Sequence, residues 1–165
     1  MAAKYMGVKT VIAIDILDWK LELAKQFGAS HVFNSQKGDV LAEIMNIAGR
    51  GATFAIDCCG VPSVIEMTIE CIAPCGTAGS IGDAPFGAKI QIDALKFMVL
   101  GKKFVALVEG DSVPHQFIPI LITMKKEGVF PLEKLVTFYS VKDISKALSD
   151  IRAGKVIKVV LKWDD

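Results

Sequence analysis

Residues 11–34 read VIAIDILDWKLELAKQFGASHVFN, and their order decides the fold. Val11 to Asp15 is an almost wholly apolar run closed by a carboxylate, the pattern of a strand covered by helices on both faces. Asp18 then opens a helix whose Leu21, Leu23, Ala24 and Phe27 make an apolar face, and Gly28 stops it. His31 to Asn34 reads as the next strand. Strand, crossover helix and strand within so short a span form a βαβ unit, which sets the two strands parallel.

The same alternation runs on toward the C-terminus. Asp39 to Ala48 is helical, with Val40, Leu41, Ile44 and Ile47 at helical spacing before GRGA ends it. Phe54 to Cys58 is a buried strand. Pro62 opens a helix where its missing N–H does no harm, and Val64, Ile65, Thr68, Ile69 and Ile72 continue it. A strand at Thr77 to Ile81 is entered through a Pro74-Cys75-Gly76 turn. Lys89 to Ile92 and Phe104 to Val108 read as edge strands around a short helix from Ala94 to Leu100. Helices from Pro114 to near Gly128 and from Val141 to Ala153 follow, and Ile157 to Leu161 is the last strand. The expected class is α/β, a doubly wound parallel sheet of Rossmann type.

At the start, Ala2 to Met6, closed by Gly7, reads as the tail of a helix with neither strand nor cap in front of it. The sheet is therefore expected to lack its first strand and the glycine loop that follows it. Position 1 then has the character of an internal methionine. In the usual order 3-2-1-4-5-6 the first strand is central, so its absence leaves two buried strand edges without partners. Direct pairing of the flanking strands, exchange of a strand between chains, or residues upstream of the given sequence would each answer this.

Composition narrows the function classes. With 19 basic against 18 acidic residues, and 52% hydrophobic residues, the chain can bury one core and lacks the basic stripe of a nucleic-acid-binding domain. No apolar run approaches the ~20 residues of a membrane-spanning helix, and the N-terminus lacks the apolar stretch of a secretory signal. A cytoplasmic protein with neither a nucleic-acid nor a membrane partner is expected. Cys58, Cys59, Cys71 and Cys75 match no metal knuckle or disulfide framework, so buried, reduced thiols are expected. His31 and His115 have no ligand partner at metal spacing and read as structural or surface residues.

In a dinucleotide-binding βαβ unit the second strand ends in an acid, whose two oxygens accept hydrogen bonds from the ribose hydroxyls. Asp15 stands there, and its charge would repel a 2′-phosphate, favouring NAD over NADP. An ordinary Asp before a helix is the plainer alternative. Lys20 could reach the same ribose, or be a solvated surface lysine. Gly60 and Gly82 each follow a strand at the carboxyl edge, where open α/β sheets bind ligands; either could equally do no more than permit a turn.

The segments VIAIDILDWKLELAKQFGASHVFNS, AIDCCG, GSIGDAP and VEGDSVPHQFIP together resemble the coenzyme domain of zinc-containing medium-chain alcohol dehydrogenases, most of all the aryl (benzyl) alcohol dehydrogenases. The likeness runs in order along essentially the whole chain, so residues 1–165 are expected to be a partial NAD-binding domain without the catalytic zinc domain. It implies that Asp15 and Lys20 hold the adenosine ribose, that Cys58 and Gly60 lie near the adenosine, and that Ile81 and Gly82 lie near the nicotinamide ribose. It further implies that Leu107 and Glu109 meet the nicotinamide carboxamide and that Lys158 reaches the pyrophosphate. No catalytic residue and no metal ligand is expected here: the family's zinc, which polarises the alcohol, belongs to the other domain of a full-length parent.

The function that follows is the coenzyme-binding part of an enzyme passing hydride between a primary, aryl alcohol and NAD. The alternative is a non-catalytic module that forms a homo-oligomer through edge strands 89–92 and 104–108. A quinone-reductase-like relative fits VEGDSVP less well, and its NADP preference conflicts with Asp15.

Overall fold

The computed structural model describes residues 1–163 of the 165. They form two compact units, one of residues 12–25 and 29–112, the other of residues 1–11, 26–28 and the chain from Val113 onward.

In the first unit, β1 (Ile12–Asp15) leads into α2 (Asp18–Gln26) and returns as β2 (His31–Asn34). The two strands are parallel, with Ile12 opposite His31 and Asp15 opposite Asn34. The helix after β2, α3 (Val40–Ala48), begins at Asp39, whose carboxylate accepts the Ala42 N–H at 3.1 Å. Next come β3 (Ala52–Asp57), α4 (Pro62–Glu70), β4 (Ile72–Ser80), α5 (Ala94–Val99) and β5 (Lys103–Ala106). β3, β4 and β5 form a three-stranded parallel sheet in that order. The α/β class and the parallel pairing are as the sequence predicts.

The core of this unit gathers Val40 and Ile44 of α3, Ile65 and Ile69 of α4, and Cys71, Ile72 and Ala78. Ile12 and Ile14 of β1, Phe33 of β2 and Phe104 of β5 pack against it, so α3 and α4 serve both sheets. Each buried isoleucine contributes roughly 1.5–3 kcal/mol. No ladder joins β1 to β3 among the described residues; of the three answers to a missing strand, direct pairing is the one the structure rules out. Phe54 and Ile56 on β3 remain 73% and 59% exposed.

Four expectations need correction here. Lys89 to Ile92 is not a strand; its Gln91 N–H is taken instead by Glu66 Oε1 at 2.9 Å. β4 starts at Ile72, a residue the helical spacing assigns to the preceding helix. The Pro74-Cys75-Gly76 turn is an irregularity inside β4, where the register shifts between Ala52 and Phe54 of the partner strand and Cys75 has φ 61°. The thiols are free, but only Cys71 is buried; Cys58, Cys59 and Cys75 are exposed. Edge and loop positions leave them open to solvent in spite of apolar neighbours in sequence.

The second unit holds α1 (Ala2–Tyr5), α6 (Pro114–Lys126), β6 (Val136–Ser140), α7 (Ile144–Arg152) and β7 (Lys158–Lys162). α1 has no side-chain cap, and Gly7 follows it at φ 78°. β6 and β7 pair in parallel. β6 was not expected from the sequence, although VTFYS has the β-branched and aromatic composition of a strand. Asp150 of α7 accepts hydrogen bonds from Tyr139 of β6 at 2.9 Å and Lys146 at 2.6 Å, with Lys155 at 3.5 Å. No helix among the described residues is long and apolar enough to cross a membrane.

Candidate functional site

The carboxyl ends of β1, β3, β4 and β5 carry most of the expected site. Asp15 is the last residue of β1, and its Oδ1 accepts the Leu17 N–H at 2.9 Å. Oδ1 is thereby oriented by the loop, and no described side chain bonds to Oδ2. The Cys59 thiol, in an otherwise exposed residue, is pushed above its ordinary range by partial desolvation of the sulfur, by its bond to Asp57 and by the charges of Asp57 and Asp15. Asp15 thus lies within electrostatic reach of the turn after β3. Lys20 does not pair with Asp15; its ammonium stands 5.9 Å from the Trp19 ring centroid. A group of residues not foreseen as part of the site braces this edge. Asn34 donates to the Ile16 carbonyl at 3.1 Å and to Asp18 Oδ1 at 2.8 Å, and Lys37 closes on the same carboxylate at 2.8 Å.

The turns after β3 and β4 meet. Gly60 has φ 70°, and a Cβ there would lie 2.5 Å from the Asp83 carbonyl. A Cβ on Gly82 would lie 2.0 Å from the Gly60 nitrogen and 2.7 Å from Asp57 Oδ2. Both glycines are therefore required by close backbone approach and not merely by a bend. Cys58 is exposed on the same turn as a residue, while partial desolvation of its sulfur and the charge of Asp57 push its thiol upward. Ile81 is 51% exposed at the mouth of the turn, and its N–H donates to the Asp57 carbonyl at 3.0 Å.

Leu107 continues the β4–β5 ladder beyond its regular end by donating to the Ser80 carbonyl at 3.0 Å. Glu109 follows in a short 3-10 turn with φ 50°, its carbonyl accepting from Ser112 Oγ at 2.9 Å. Lys158 opens β7 in the other unit. The structure thus brings Cys58, Gly60, Ile81, Gly82 and Leu107 to one sheet edge, with Asp15 within electrostatic reach of Cys59. Among the described residues, no group of three or more His, Cys, Asp or Glu could hold a metal ion.

Asp57 is the site residue that sequence reasoning missed. It is 1% exposed and receives hydrogen bonds from both turns. Its one signal was its place as the acid of AIDCCG.

The family model described as zinc-binding dehydrogenase matches residues 1–126. The chain belongs to the zinc-binding dehydrogenase family. Within this family, geraniol dehydrogenase of Castellaniella defragrans is 35% identical over 162 residues, covering 98% of this chain and 43% of the relative. The crystal structure of benzyl alcohol dehydrogenase from Acinetobacter calcoaceticus superposes with a TM-score of 0.95 at 36% identity, covering 99% of this chain and 45% of that one. A zinc-binding alcohol dehydrogenase domain protein from Burkholderia ambifaria gives 0.96 at 36% identity, covering 99% and 44%. A dehydrogenase from Sinorhizobium meliloti solved with NADP shares 21% identity and a TM-score of 0.87 over 97% and 47% of the chains, which shows the fold alone. The likeness is to the coenzyme-binding domain of zinc-dependent medium-chain dehydrogenases, and the chain spans less than half the length of these relatives.

Proposed function

We propose that this chain is the coenzyme-binding part of an NAD-dependent alcohol dehydrogenase acting on a primary, aryl alcohol in the cytoplasm. The observation that carries the reading is Asp15: a carboxylate at the end of β1, oriented by the Leu17 N–H and within electrostatic reach of Cys59 in the turn after β3. In this reading its second oxygen accepts from a ribose hydroxyl, and its charge disfavours a 2′-phosphate. In this reading Lys20 swings from Trp19 to the same ribose. Cys58 and Gly60 border the adenosine, while Ile81 and Gly82 border the nicotinamide ribose. The backbone at Leu107 and Glu109 meets the carboxamide. When bound, NAD accepts or returns the hydride; the residues here bind and orient it.

The substrate class is supported by the 36% identity to benzyl alcohol dehydrogenase. The test is titration of the chain with NADH and NADPH, followed by cofactor fluorescence. Charge-assisted hydrogen bonds of this kind contribute about 1.5–3 kcal/mol, so Asp15→Ala should weaken NADH binding by roughly 10- to 100-fold and narrow the preference over NADPH. Equal affinity of wild type and variant would sink the reading.

A second reading, homo-oligomer formation, is favoured by the outer edge of β5, which has no partner strand among the described residues, and by Leu95, Met98 and Val99 on α5, exposed at 66%, 69% and 70%. Sedimentation of wild type against Val105→Lys tests it: a monomer in both cases removes the proposal.

A further inference from the structure

Asp57 ends β3 as a buried carboxylate that takes part in none of the ion pairs among the described residues. Neutral donors alone hold it. Oδ1 accepts the Cys59 N–H at 3.0 Å, the Cys59 thiol at 3.1 Å and the Gly60 N–H at 3.2 Å. Oδ2 accepts the Ser80 hydroxyl at 2.8 Å and shares the Gly60 N–H at 3.2 Å. Its own carbonyl accepts from Ile81 at 3.0 Å. Burial raises its pKa, but the bonds from Cys59, Ser80 and Gly60 outweigh burial and leave the carboxyl below its ordinary value. The group is an anion at neutral pH, shared between residues 58–60 on one loop and 80–82 on the next.

We propose that Asp57 is the positioning residue of the coenzyme edge, its carboxylate clamping the turn after β3 to the loop after β4 so that Gly60 and Gly82 form one rigid floor for the coenzyme. This rests on the coenzyme-binding reading above. The chemistry is selective for aspartate. Asparagine has one acceptor oxygen, and its amide in the place of Oδ2 would face the Gly60 N–H, which cannot turn away as the Ser80 hydroxyl can. Glutamate would push its carboxylate toward Gly82, where the position a Cβ would take lies only 2.7 Å from Oδ2.

The test uses the full chain with Asp57→Asn, Ser80→Ala and Asp15→Ala, read by NADH titration and by amide hydrogen exchange. Asp57→Asn should weaken NADH binding at least ten-fold and speed exchange at Cys59 and Gly60, while the β3–β4 ladder at Ala55 and Ala78 exchanges as in wild type. The loss from Asp15→Ala should persist at full size in the Asp57→Asn background, as it would not if the substitution disordered the whole edge. Should Asp57→Asn fail to fold, Ser80→Ala carries the question, with a two- to five-fold loss of NADH affinity expected. Wild-type affinity in Asp57→Asn, or in Ser80→Ala where that variant stands in, overturns the clamp. If Asp15→Ala still loses affinity in that case, the coenzyme reading survives. A wild-type chain that binds no NADH, or an Asp15→Ala chain that binds it normally, removes the coenzyme reading and the clamp with it.

Discussion

Replacing Gly82 by alanine adds a single methyl group at the tightest point of the candidate site. The new Cβ would lie 2.0 Å from the Gly60 nitrogen and 2.7 Å from both Asp57 Oδ2 and the Cys59 carbonyl carbon. Against an ordinary contact of 3.4 Å the first of these is short by about 1.4 Å, and backbone stands on the other side, so no flexible side chain can give way. Overpacking of this kind costs about 1–3 kcal/mol, and with a urea slope of about 1–3 kcal/mol per molar the midpoint should fall by roughly 1 M. Separating the two turns also displaces the floor of the coenzyme site, so NADH binding should weaken as well. The control is Gly87→Ala: Gly87 has φ 79° but nothing within 4 Å of its Cβ position, leaving only a backbone penalty of roughly 1–2 kcal/mol and no change in NADH binding. Urea titration and NADH fluorescence on the three proteins decide the matter. If Gly82→Ala matches wild type in both measurements, the contact between the turns does not exist as described.

Other outcomes follow from the same structure. Hydrogen bonds from Lys146 and Tyr139 lower the Asp150 carboxyl from 3.8 to about 2, so its folded pKa lies below its unfolded one. The stabilisation is complete above about pH 4 and is lost as pH falls toward 2; thermal melts across that window should show a steeper acid decline in wild type than in Asp150→Asn, and parallel declines would refute it. Lys102, 7% exposed, donates to the Ile69 and Glu70 carbonyls at 2.9 and 2.8 Å, so Lys102→Met leaves two helix-end acceptors unsatisfied and should cost about 1–3 kcal/mol in urea unfolding. A disulfide-exchange reagent should modify three thiols in the native protein and the fourth, Cys71, only after denaturation; four reactive native thiols would contradict the burial of Cys71.

Much of the fold was legible because its determinants are local. Apolar runs ending in a carboxylate, helical spacing of Val40, Leu41 and Ile44, and Pro62 at a helix start are all written within a few neighbouring residues. Asp15, as the acid ending a strand before a helix, was legible for the same reason. The failures had local causes too. Ile72 fits the apolar spacing of α4, so helix and strand signals overlap there, and the irregularity at Cys75 resembles a turn. Residues 89–92 alternate polar and apolar like a strand, but the Gln91 N–H is taken by a side chain from α4 and no strand partner is available.

What the chain's own order determined is the series of βαβ units, the parallel sense of their strands and the placing of Asp15, Gly60 and Gly82 at strand ends. Tertiary structure alone decided that the turns of Gly60 and Gly82 touch, that Asp57 is the group between them, and that Lys102 caps a helix 32 residues before it. The physical reason is range. Periodicity and turn chemistry act between near neighbours, whereas the donors of a buried carboxylate and the ångströms between two backbones are set by strands that meet only after the chain has folded.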